Sequence, residues 1–137
     1  MKIVVLDTDV LILYLRGKNE SYMKIKSLKK KEESLNTTIF NVAELFKGCY
    51  SMKNVAKGLM KVKSVVEALD DIYLFDNNSA EEYAKISSDL KNRGQPIGVM
   101  DELIASICIA HQETLYSGNI KHFERIDDLD IKDWTKI

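Results

Sequence analysis

The chain has 137 residues and a mass of 15.7 kDa, with 45% apolar and 30% charged residues, which is the range of one folded domain that needs no disulfide or metal merely to fold. Twenty Lys and Arg against 21 Asp and Glu give a net charge of −1, excluding a uniformly polybasic nucleic-acid binder and an acidic solvating tail. The charge is unevenly placed: residues 16–63 hold 12 basic and 4 acidic residues, net +8, and the remainder holds 8 basic and 17 acidic, net −9.

In chain order, Ile3 to Leu6 is an unbroken apolar run ending in Asp7. A strand apolar on both faces is covered on both, as in the centre of a parallel sheet. Residues 10–16 read as a buried helix and 20–32 as an amphipathic, Lys-rich one. A second strand is predicted over Leu35 to Phe40, followed by a helix over 42–50 and another carrying Val55, Leu59, Val62, Val66 and Leu69 on one face. A third strand runs from Ile72 to Phe75, ending at Asp76. Ala80, Tyr83, Ala84, Ser87 and Leu90 mark the next helix, which Gly94 ends, and Met100, Leu103, Ile104, Ile107 and Cys108 the last long one. Thr114 to Ser117 is the fourth strand, and Ile131 with Trp134 suggests an edge strand in the acidic tail from Asp127. Strands alternating with helices, with one Pro and no polar linker, predict a single α/β domain over 1–137 with a largely parallel central sheet.

No segment approaches the roughly 18 apolar residues of a membrane span, and Asp7 and Asp9 spoil the N-terminus as a signal peptide, so a cytoplasmic protein without membrane contact is expected. Cys49 and Cys108 have no metal-ligand or disulfide spacing and read as core thiols.

In open parallel sheets, ligands bind beyond the carboxyl ends of the strands. Asp7, Glu44 and Asn119 fall at or just past such ends, and Asp101 opens the last long helix. Each also has a structural reading: Asp7 and Asp9 as helix initiators, Asn41 and Glu44 as a capping box, Asp101 as a first-turn acid, Asn119 as a turn residue. Together they deliver oxygen ligands from four elements to one sheet edge. Two like charges about 4 Å apart repel by about 4 kcal/mol at an effective dielectric of 20, so such a cluster calls for a cation, and Mg²⁺ or Mn²⁺ suits oxygen ligands. The chemistry such a site serves is phosphoryl transfer by an activated water. His111 reads as helix face and His122 as loop packing or an RNA contact.

These residues resemble the PIN-domain family, and within it the VapC-type toxin ribonucleases. The resemblance covers nearly the whole chain: Leu6-Asp7-Thr8-Asp9-Val10, Ala43-Glu44-Leu45 with Gly48, Ala80 to Gly94, Ile97-Gly98-Val99-Met100-Asp101-Glu102-Leu103-Ile104-Ala105, and Ser117-Gly118-Asn119 with His122-Phe123. It implies a three-layer α/β/α sandwich and a Mg²⁺- or Mn²⁺-dependent endoribonuclease. Asp7, Glu44 and Asp101 occupy the family's acidic positions, with Asp7 and Asp101 as direct metal ligands. Asn119 stands where the family holds Asp or Asn, and Ser117 where Thr is usual. Asp9 and Glu102 lie beside these positions as capping or supporting residues. A homodimer and an inhibitory antitoxin partner are also implied.

Two rivals remain at this level. Asp7-Thr8-Asp9 fits the opening of haloacid-dehalogenase-type phosphohydrolases, with Asp7 as nucleophile, but the paired acids Asp70-Asp71 precede a strand instead of following one. The other is a non-catalytic PIN-like module that binds RNA or protein. The basic block, with Lys24, Lys26, Lys29, Lys30, Lys31, Lys47, Lys53 and Lys57, offers a track for an RNA backbone beside the acidic site.

Overall fold

A computed structural model describes residues 3–17, 19–31 and 33–136, the side chains of residues 19–22 and 29 excepted. Lys29 of the basic block therefore has a side chain outside the described residues, as do the two ends of the domain expected over 1–137.

Five strands, β1 (Ile3–Leu6), β2 (Ser34–Thr38), β3 (Asp71–Tyr73), β4 (Thr114–Ser117) and β5 (Ile131–Asp133), form one sheet in the order β3-β2-β1-β4-β5. All four pairings are parallel. The helices are α1 (Thr8–Leu15), α2 (Asn19–Lys30), α3 (Ile39–Cys49), α4 (Val55–Ala68), α5 (Asn77–Asn92), α6 (Val99–Ala110) and the short α7 (Ile120–Phe123).

Alternation along the strands divides the core into two layers. Val4 and Leu6 of β1, Leu35 of β2 and Tyr116 of β4 pack with Val10, Leu11, Ile25, Leu45 and Val62. Val5 and Leu115 point the other way, onto Ile86, Leu90, Ile104, Cys108 and Phe123. Helices α1 to α4 thus cover one face and α5 to α7 the other, the predicted three-layer α/β/α sandwich. β1 is apolar throughout because both of its faces are covered. Trp134 is buried in the first core, in a short 3-10 turn after β5, with its ring edge against Tyr116.

Two predicted boundaries move. β2 ends at Thr38, and Ile39 and Phe40 already belong to α3, because Thr38 caps that helix: its hydroxyl accepts from the Asn41 backbone while the Asn41 side chain accepts from the Thr38 backbone. The capping box is therefore Thr38–Asn41, not Asn41–Glu44. β3 stops at Tyr73, where its pairing with Thr38 runs out, and Leu74 is left exposed. Among the described residues no helix is long and apolar enough to cross a membrane.

Candidate active site

The strand order creates a topological switch beside β1. The chain runs outward from β1 through β2 to β3, then returns to the other side of β1 for β4. The loops after β1 and β4 thus diverge to opposite faces, opening a crevice at their carboxyl ends. The Asp7 backbone closes the strands at this point by donating to the Tyr116 carbonyl at 3.0 Å.

Asp7 is the centre of the crevice, at 6% exposure. As N-cap of α1 it accepts from the Thr8 backbone at 2.8 Å, as its reading as a helix initiator expects. The same Oδ1 accepts from the Asn41 amide at 2.9 Å, and Oδ2 accepts from the Ser117 hydroxyl at 2.7 Å. The protons in this network run one way. Thr38 donates to Asn41 Oδ1 at 2.7 Å, the Asn41 amide donates to Asp7 and to Thr8 Oγ1, each at 2.9 Å, and the Thr8 hydroxyl donates to Glu44 Oε1 at 2.7 Å. Glu44 lies one and a half turns into α3 and is held in the crevice from its far side by Thr8.

Asp101, in the first turn of α6, meets the β4 loop. Its Oδ2 lies 3.5 Å from the Asn119 amide nitrogen and 3.1 Å from His122 Nδ1. Asn119 and His122 are themselves 3.0 Å apart through the same imidazole nitrogen. That nitrogen faces an amide donor and a carboxylate acceptor, and it serves one of them in any one protonation state. Asn119 is joined to the Asp7 side of the crevice by its backbone, which donates to Ser117 Oγ at 2.9 Å.

Burial pushes the Asp7 carboxyl up to about 6; the Ser117 hydrogen bond opposes this, and the charges of Asp9 and Asp101 add to it. Among the described residues no Lys or Arg pairs with Asp7, Asp9, Glu44 or Asp101; the partner of Asp101 is His122. No three Asp, Glu, His or Cys side chains there lie close enough to make a complete ligand set. The donor chemistry nonetheless fits a hard cation that keeps much of its water. Asp7 Oδ2 holds one donor, and Glu44 Oε2 and Asp101 Oδ1 have no hydrogen-bond partner among the described residues.

All four residues singled out from the sequence, Asp7, Glu44, Asp101 and Asn119, come to this crevice. Thr8, Asn41, Ser117 and His122 join them, and the sequence reading gave none of these a part in the site's hydrogen bonding. Asn41 carried a signal: a fully buried amide at a strand-to-helix junction needs partners. His122, read as loop packing or an RNA contact, lies against Asp101 and Asn119. His111, read as helix face, is the C-cap of α6 and stacks on Tyr73. Asp70 and Asp71 bond the Leu35 and Ile72 backbones at the opposite end of the strands, so the second acidic motif of a dehalogenase-type site is absent from this crevice. Glu102, read as a capping or supporting residue, is buried at 4% exposure in the first turn of α6.

The PIN domain family model matches residues 4–129. Ribonuclease VapC2 of Rickettsia felis is 30% identical over 134 residues, 98% of this chain and 99% of that protein. Ribonuclease VapC1 of Haemophilus influenzae is 28% identical over the same shares. Among solved structures, a chain of the VapBC2 complex of Rickettsia felis bound to a promoter DNA fragment superposes with a TM-score of 0.89 at 28% identity, covering 96% of this chain and 98% of that one. Fold, switch-point crevice and sequence agree, and the chain belongs to the PIN-domain family, among its VapC-type ribonucleases.

Proposed function

We propose that this protein is the endoribonuclease toxin of a toxin–antitoxin pair, acting in the cytoplasm on RNA phosphodiester bonds with Mg²⁺ or Mn²⁺ held by Asp7, Asp101 and Glu44. The observation that carries the reading is the placement of these carboxylates and Asn119 around the switch point, with Asp7 buried and no Lys or Arg paired with them among the described residues. When bound, the cation supplies positive charge to the scissile phosphate and makes water a better nucleophile near neutral pH. Asp7 and Asp101 would hold it directly and Glu44 through a water on its second oxygen, with the Asn119 amide beside Asp101. Thr8, Asn41 and Ser117 fix the carboxylates so that little reorganisation is needed on binding.

Substrate and partner surfaces lie beside the crevice. Between Glu44 and Glu67 the chain holds five lysines, Lys47, Lys53, Lys57, Lys61 and Lys63, and no acid. All five are exposed on α3, α4 and their connection, supporting an RNA backbone approaching Glu44 from α4. A groove of about 300 Å³ opens next to Glu44, with a floor that includes Ile12, Leu45 and Val62 and with Arg16 and Lys61 at its edge. Its apolar floor suits an amphipathic antitoxin segment, which would cover Glu44 and the lysine track together. For a second copy of the chain we propose an apolar rim made of the exposed residues Ile39, Leu74, Phe75, Val99 and Met100.

The test is cleavage of RNA by the purified protein with and without Mg²⁺ or Mn²⁺. Cutting that needs the ion and disappears in Asp7→Asn and Asp101→Asn is expected. Cutting that persists in excess EDTA overturns the metal mechanism, and turnover of an aryl phosphate through Asp7 in place of RNA overturns the nuclease reading.

A further inference from the structure

Asp9 stands beside the crevice, yet both of its oxygens are engaged elsewhere. Oδ1 accepts from the Val10 backbone at 2.9 Å, and Oδ2 accepts from the Gly118 backbone at 2.8 Å. The second bond joins α1 to the turn after β4, across the switch point and 109 residues away in sequence.

Gly118 lies between two residues of the site. Ser117 donates to Asp7, and Asn119 reaches Asp101 and His122. Asn119 makes no side-chain cap to α7, a helix of only four residues, so the following helix does little to fix this turn. A Cβ built on Gly118 would meet Asp9 Oδ2 at 2.8 Å, closer than any side chain tolerates. The glycine leaves room for this approach, which a side chain there would allow only if the Asp9 carboxylate shifted, and it does not serve an unusual φ. A carboxylate suits position 9 because two amide N–H groups need two acceptor oxygens, and an amide side chain has one.

We infer that Asp9 is a positioning residue: with Gly118 it clamps the β4–α7 turn onto α1 and so sets the places of Ser117 and Asn119 in the crevice. For its effect on turnover the inference rests on the nuclease reading; the clamp itself is a property of the metal-free protein. Outer residues of this kind are worth about 10- to 100-fold in metal affinity or activity.

The experiment combines amide exchange on the metal-free wild type with a double-variant cycle. The Gly118 amide proton is expected to exchange slowly for an exposed turn and to lose that protection in Asp9→Ala. Asp9→Ala and Gly118→Ala are each expected to weaken Mn²⁺ binding, measured by calorimetry, and to lower kcat on RNA, both by about tenfold, with KM nearly unchanged. The double variant should be no worse than the poorer single one, because both changes break one contact. Fast Gly118 exchange in the wild type, or losses that multiply in the double variant, overturns the clamp. A wild type that cuts no RNA overturns the nuclease reading, while the exchange and Mn²⁺ measurements still decide the clamp.

Discussion

Asn41 donates to Asp7 Oδ1 at 2.9 Å while its own oxygen accepts from the Thr38 hydroxyl at 2.7 Å. One buried amide thus ends β2, caps α3 and orients the central carboxylate of the crevice. Asn41→Ala removes all four side-chain hydrogen bonds of Asn41, two from Thr38 and one each to Asp7 and Thr8, and is expected to cost about 2 to 3 kcal/mol of stability in urea denaturation. Asn41→Asp keeps an acceptor for Thr38 but turns a carboxylate toward Asp7, and is expected to fold and to lose cleavage. A cleavage rate equal to the wild type in Asn41→Asp would show that Asp7 does not depend on this donor.

Asp7 makes the metal-free protein sensitive to pH. Burial raises its folded pKa to about 6, above the unfolded value near 4. The folded state therefore holds this proton more tightly. The associated stabilisation is complete below about pH 4 and is lost as pH rises through 6, a change of the order of 3 kcal/mol. Asp7→Asn lacks this dependence, so at pH 8 without metal it is expected to melt above the wild type. Mg²⁺ should raise the Tm of the wild type more than that of the variant. Equal Tm values for the two metal-free proteins at pH 8 would contradict the charge penalty assigned to Asp7.

The lysines of α4 bear on RNA through salt dependence. In EDTA, where binding is read without cleavage, affinity for a single-stranded RNA should fall with salt. Lys57→Gln/Lys61→Gln is expected to flatten the slope of log K against log salt by about 1.4, at about 0.7 per phosphate contact. A slope equal to the wild type in fluorescence anisotropy would remove α4 from the RNA path.

Phe75 sits on the apolar rim with its ring 5.6 Å from Phe40, edge to face. Phe75→Lys places a charge in the centre of the surface proposed for a second copy. Light scattering is expected to give the wild type twice the 15.7 kDa chain mass and the variant one chain mass at the same concentration. A wild type that is monomeric at all concentrations would leave this rim to another partner.

What the sequence disclosed follows from how each element is stabilised. β1 was legible because all its apolar residues are covered on both faces, and α4 because its stripe has one period. β2 was less so: Asn36, Thr37 and Thr38 are buried yet polar, and Thr37 is satisfied by donating to the Leu6 carbonyl at 2.7 Å, a partner 31 residues away. The strand's end was misplaced because two capping boxes fit the same stretch, Asn41–Glu44 and Thr38–Asn41, and local pattern does not choose between them. The tertiary pull of Asp7 and Thr8 on Asn41 does. In the crevice, the carboxylates stood out because charge at a strand end is conspicuous. Thr8, Ser117 and His122 stood out at most as motif neighbours, because a hydroxyl or an imidazole acquires its hydrogen-bonding role only from the group it faces across the switch point.

The order β3-β2-β1-β4-β5 has a consequence for the protein's synthesis. Asp7 is made well ahead of the neighbours that complete its crevice, Asp101, Ser117 and Asn119. Until β4 closes against β1, no fragment assembles the site, so the growing chain is inert toward the RNAs around it. The crevice is completed in one step, when β4 joins the sheet, and a chain cut short upstream of β4 lacks Ser117 and Asn119.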